Sequence, residues 1–159
     1  MEKVVDFLKK QSVGFYLSIA SFLFILIGMI VFLVNGATEY YNDLRNLTLV
    51  PVFSVLAIVL IIAIDALSQF LPDKYVRLGW ILVGICAMVA FMVICANRVE
   101  SIAYIYGSDL ENDNPLARPA VTQYFVGAGI YFVGILCAFV ASFFTVRKEE
   151  SVEKASEVA

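Results

Sequence analysis

Four long stretches of the chain are apolar on every side. They run from Val13 to Val34, Leu49 to Leu71, Leu78 to Ala96 and Ala120 to Val146, and Asp65 is the only charged residue within any of them. A bilayer core about 30 Å thick needs roughly 20 apolar residues in helical form. A backbone in lipid must satisfy its own hydrogen bonds, so runs of this length predict helices. The alternation of inward polar and outward apolar residues that marks a membrane β-barrel is absent. The pattern predicts an all-α integral membrane protein with four transmembrane helices (13-34, 49-71, 78-96 and 120-146) in an up-down-up-down bundle. The whole chain, 1-159, is expected to form one domain with a polar tail over 147-159.

The connections carry their own pattern. The stretch from Asn97 to Tyr106 keeps helical spacing, and Gly107 is a natural terminator. The third helix is therefore expected to project to about residue 106, about 15 Å beyond the bilayer. An acidic segment with prolines at its end, Ser108 to Pro119, then returns the chain to the fourth crossing. Glu2 to Gln11 is expected to lie on the membrane surface, with Val4, Val5 and Leu8 toward lipid. The first run is longer than the apolar core of a typical secretory signal, no small-residue cleavage site follows it, and it reads as an uncleaved crossing.

Composition removes whole classes of function. Apolar residues make up 62% of the 159 and charged residues 16%, with a mean hydropathy of +0.89. An ordinary soluble domain is about 45–50% apolar and could not hide this surface. There is no histidine, which removes imidazole from any metal site or acid–base pair. Cys86, Cys95 and Cys137 all lie in apolar runs, where cysteine behaves as a small hydrophobe. A net charge of −3 and pI near 4.9, with no basic stripe, argue against nucleic acid. No cofactor is expected.

The basic residues predict orientation. Eight of the eleven (Lys3, Lys9, Lys10, Lys74, Arg77, Arg147, Lys148, Lys154) fall on the side that holds both termini and the 72-77 connection. Arg45, Arg98 and Arg118 fall on the other. By the positive-inside rule both termini are cytoplasmic, and the protein is expected in the plasma (cytoplasmic) membrane.

Three features carry candidate chemistry. Asp65 lies seven residues before Pro72, about 10 Å inside the second crossing. An acid at that depth costs a few kcal/mol and marks an ion or proton site, or a lock to a partner helix. Ser68 and Gln69 extend its polar stripe toward the cytoplasm. The plainer expectation is that Asp65 is satisfied within the bundle by a group such as Ser18, Ser21 or Ser142. The second feature is a row of small residues, Ala120, Gly127, Gly134 and Ala141, spaced by sevens on one seam of a left-handed crossing. Intramolecular packing is its first expected use, docking of another protein the second. The third is the outer loop with Asp109, Glu111 and Asp113, which lacks the glycine and late glutamate of a calcium loop and reads as solvated. Asn97, Arg98 and Glu100, at the outer end of the third helix, are expected to form local pairs, with an acid of either outer loop as the other partner open to Arg98; such surface pairing would contribute little to stability.

No nucleophile, base or pair of carboxylates at one depth points to catalysis. The expected function is that of a small non-catalytic accessory or scaffold subunit that packs against another membrane protein. The alternative is a homo-oligomeric channel or small transporter using Asp65. The expected partners are membrane lipid and either another membrane protein or the chain itself.

Overall fold

The computed structural model describes residues 12–43, 47–68, 70–107, 111 and 114–144. Among these there are five helices and no strand: α1 (Val13–Gly36), α2 (Leu49–Leu67), α3 (Asp73–Ala96), α4 (Val99–Gly107) and α5 (Ala117–Ala141). α1, α2 and α5, together with a near-continuous α3–α4 span over Lys74–Gly107, are long and apolar enough to cross a membrane. The protein is thus an all-helical bundle compatible with four membrane-spanning helices.

Local chemistry sets the helix ends. The Ser12 side chain accepts from the Gly14 amide at 3.1 Å and caps α1. Pro51 and Pro119 lie in the first turns of α2 and α5, where no amide donor is required. Pro72 is the N-cap of α3. That helix begins at Asp73 rather than at Leu78, so Lys74, Tyr75 and Arg77 belong to its first turns. α2 ends at Leu67, four residues before the end of the apolar run, and α5 covers Ala117–Ala141 rather than 120–146. Apolar length measures how much chain tolerates lipid, whereas the helix end depends on which backbone groups find partners.

The α3–α4 span is interrupted at Asn97 and Arg98. Asn97 Nδ2 donates to the Val93 carbonyl at 2.8 Å, taking an acceptor that the helix ladder also uses. The helix resumes at Val99 and continues to Gly107.

Contacts order the spans as a ring: α1 packs on α2, α2 on α3, α3 on α5, and α5 returns to α1. The α1–α5 pair is the most extensive and α2–α3 the next, while α1–α2 and α3–α5 meet over much less. α1 and α5 run antiparallel, because Gly134 lies against Ile25, Tyr131 against Gly28, and Gly127 against Val31. A Cβ on Gly28 would stand 2.7 Å from Tyr131 Cβ and 2.8 Å from its Cα, so the two backbones touch there. Such close approach maximises dispersion contact, the main packing force available in lipid. Two hydrogen bonds lie in the same core. Tyr131 Oη and Ser54 Oγ share one at 2.8 Å, and Ser21 Oγ donates to the Gly134 carbonyl at 2.9 Å. Ile25, Phe32, Ile61, Ile94 and Tyr131 fill the interior. The outward faces are lined by exposed apolar side chains such as Leu23, Ile27, Val59, Ile62, Ile85 and Phe139.

Candidate functional site

Two polar clusters stand at opposite ends of the bundle. The first is built on α2, where Ile61 and Ile64 are buried and Asp65 turns toward α1. Ser18, fully buried on α1, donates from Oγ to Asp65 Oδ2 at 2.5 Å. The other carboxylate oxygen, Oδ1, is shielded from solvent and has no hydrogen-bond partner among the described residues. Asp65 is one of the residues lining a groove of about 390 Å³ between α1 and α2, with Phe15, Ile19, Phe22, Ile61, Ile62 and Ala66. Ile19 and Ile62 are exposed at its rim, so the groove opens on the flank of the bundle.

The stripe expected around Asp65 is arranged differently. Ser68 Oγ donates to the Asp65 backbone carbonyl at 3.2 Å and not to the carboxylate. Gln69 lies outside the described residues. Of the three serines named as satisfying groups, Ser18 reaches Asp65. Ser21 is taken by Gly134, and Ser142 Oγ donates to the Phe139 carbonyl at 2.6 Å.

The second cluster centres on Arg98, which is 1% exposed. This corrects the expectation of a surface pair. Its Nη1 and Nη2 grip Asp43 at 2.6 and 3.1 Å, and its Nε donates to Asn35 Oδ1 at 3.2 Å. Asn35 Nδ2 in turn donates to the Ala120 carbonyl at 2.8 Å and to Gln123 Oε1 at 3.4 Å. The guanidinium carbon lies 3.7 Å from the Tyr41 ring centroid and 5.3 Å from that of Phe32. Burying the cation is tolerable because every side of it meets a carboxylate, an amide oxygen or an aromatic face. Burial pushes the Tyr41 phenol above its ordinary range, and the Arg98 charge opposes that rise.

The connection after α1 delivers Asp43. Thr38 Oγ1 donates to the Asn35 carbonyl at 2.7 Å, and the Asn42 amide donates to Thr38 at 2.9 Å. Asn42 then takes a positive φ of 42°, a region that Asn tolerates better than most residues. The chain reverses, the Asp43 amide donates to the Gly36 carbonyl at 3.0 Å, and the Asp43 carboxylate meets Arg98. The pairing of Arg98 with an acid of an outer loop was legible in the sequence; its burial, and the part that Asn35 plays in it, were not.

The small-residue row is buried throughout: Ala120, Gly127, Gly134 and Ala141 all lie inside. A Cβ on Gly127 would meet Val31 Cγ1 at 2.8 Å, and one on Gly134 would meet the Ile25 amide nitrogen at 2.9 Å. The row is therefore spent against α1. In the acidic connection, Asn114 Nδ2 donates to Glu111 Oε2 at 2.9 Å. Asp109 and Asp113 lie outside the described residues. No group of three metal-ligating side chains occurs among the described residues. Cys86, Cys95 and Cys137 are free thiols.

Comparison with protein-family models, with curated proteins and with solved structures finds no match.

Proposed function

We propose that this chain is a small non-catalytic accessory or scaffold subunit that packs laterally against another membrane protein, a second copy of itself included. We place it in the plasma membrane with both termini cytoplasmic, on the strength of the eight-to-three division of its basic residues. The observation that carries the functional reading is the placement of Asp65. Asp65 lines a groove on the flank of the bundle, and its carboxylate keeps one oxygen, shielded from solvent, without a partner among the described residues. A polar group in lipid is stabilised by packing against another polar group, so an acid on a flank favours a neighbour there. The same placement argues for lateral contact over conduction along the bundle axis, since apolar and aromatic side chains fill the interior.

The test is the native mass of the protein, gently solubilised from its source membrane, with co-purifying chains identified by mass spectrometry. A particle heavier than one chain, dissociated by Asp65→Asn, is the expected result. A monomer with no companion chain would overturn the reading.

A further inference from the structure

Resting on the lateral-packing reading, we propose that the neighbour on the α1–α2 groove is a second copy of this chain, whose Arg77 pairs with Asp65.

The argument begins with depth. Gly79 of α3 lies against Ile64 of α2, where an added Cβ would be 2.9 Å from Ile64 Cγ1. The two helices are antiparallel across the short connection at 68–72. Asp65 is one residue past Ile64 and Arg77 two residues before Gly79, so at about 1.5 Å per residue their Cα atoms lie within about 2 Å of the same level. The acid and the base thus occupy one layer of the bundle.

Direction comes next. Residues on a helix are separated by about 100°, so Arg77 stands about 200° from Gly79 and points away from α2. Phe91, fourteen residues on and so on nearly the same face as Arg77, lies 5.5 Å from Phe132 of α5, centroid to centroid. Arg77 therefore belongs to the α3–α5 flank, where it is exposed and forms no ion pair with any described residue. In the ring of helices this flank is opposite the α1–α2 groove, which keeps Arg77 away from the Asp65 of its own chain.

The two flanks also complement one another in shape. The α1–α2 flank is concave near Asp65, and a second hollow of about 460 Å³ lies farther along the same pair, against Leu33, Val34, Leu47 and Pro51. On the opposite flank, Arg77, Ile81, Gly84 and Met88 form one stripe at helical spacing. A Cβ on Gly84 would meet nothing within 4 Å, and Ile81 and Met88 are exposed. An apolar stripe headed by a cation fits a groove with an acid at its base. The copy seated there pairs its guanidinium with the Asp65 carboxylate, whose side chain must turn to present the shielded Oδ1 to it.

Such a contact uses two different patches and is head-to-tail. Contacts of this kind form rings where the rotation closes and open rows where it does not. Because the two patches are on opposite flanks, a series of oligomers is expected.

The experiment uses the full chain, purified and reconstituted in phosphatidylcholine nanodiscs, with oligomer masses read by native mass spectrometry. Wild-type protein should give a ladder of multiples. Asp65→Arg alone sets Arg against Arg77, and Arg77→Asp alone sets Asp against Asp65, so each should give monomers. An equimolar mixture of the two variants places an opposite-charge pair at every alternating junction and should recover the ladder. Asp65→Asn and Arg77→Gln, which reverse no charge, should each weaken association at least tenfold and serve where a reversed charge prevents folding. Wild-type ladders unchanged by these substitutions, or variants that stay monomeric on mixing, would overturn the proposal. A wild-type chain that is monomeric alone but cross-links from Ile19 or Ile62 to a different protein in its source membrane would overturn the second copy and leave the accessory reading standing. A monomer in both settings would remove both.

Discussion

Arg98 and Asp43 meet through two parallel hydrogen bonds, 2.6 and 3.1 Å, with the arginine almost fully buried and the aspartate one-quarter exposed. They lie far apart in sequence, one in the connection after α1 and the other at the break between α3 and α4. Their pairing clamps that connection to the bundle and ties it, through Asn35, to the first turn of α5. Arg98→Ala would leave Asp43 and Asn35 without their donors, and breaking one side of a buried pair costs about 3–5 kcal/mol. A matching fall in stability on denaturation in mixed micelles is expected. Arg98→Lys should recover little of it, since an ammonium cannot reproduce the paired fork or the stacking on Tyr41.

The contact between α1 and α5 has no room for added side-chain atoms. Gly28→Ala places a methyl against the Tyr131 backbone and Gly134→Ala places one against the Ile25 amide. Each should destabilise the bundle by about 1–3 kcal/mol, the usual cost of overpacking. Gly129→Ala, where the same methyl meets nothing within 4 Å, should be neutral or slightly stabilising because alanine favours helix. Thermal unfolding of the three variants side by side checks this. Equal losses at all three sites would contradict the seam.

Asn42 carries the reversal that presents Asp43. Asn42→Gly should preserve stability, because glycine adopts positive φ freely. Asn42→Val should cost about 1–2 kcal/mol. It should also increase proteolysis in the connection between α1 and α2, read as faster nicking in limited digestion of the micellar protein.

The phenol of Tyr41 adds a pH dependence of known sign. Burial raises its folded-state pKa above the ordinary value of 10.0, with Arg98 opposing. The unfolded chain therefore loses this proton first as pH rises. The contribution to stability is complete below pH 10 and is lost as pH climbs through the raised folded value. Tyr41→Phe keeps the ring over Arg98 but removes the titrating group. Its stability should fall less steeply with alkaline pH than that of the wild type, in unfolding measured across that range.

The legible and illegible parts of this molecule divide by the range of the interaction. Four helices could be read from composition alone, because apolar length is a property of contiguous residues and lipid accepts little else. The break at Asn97 and Arg98 was harder to see, since it is a shift of hydrogen bonds at one turn: the Asn97 amide keeps the Val93 carbonyl, while the Arg98 amide donates to Cys95 one residue short of the ladder. Helix ends moved by up to five residues for a related reason. Pro72 capped α3 early and drew Arg77 into the helix, although its charge had suggested a connecting loop.

The seven-residue row of small side chains was visible as a pattern, yet its neighbour was not. Periodicity says that Gly127 and Gly134 share a face, but only the packed bundle shows Val31 and Ile25 lying against them. Arg98 shows the same limit more sharply. A lone arginine beyond an apolar run ordinarily sits at a wet surface. Its burial depends on Asp43, Asn35, Tyr41 and Phe32, which come from two distant segments and converge only once the ring of helices has closed. Contiguous residues alone fix how many helices are long and apolar enough to cross a membrane, the apolar character of their faces and the one acid deep within them, because each is a property of neighbours along the chain. Which groups satisfy the buried charges, and which flank carries the acid, follow instead from helix rotation and register, because these are set by the packing of the whole bundle.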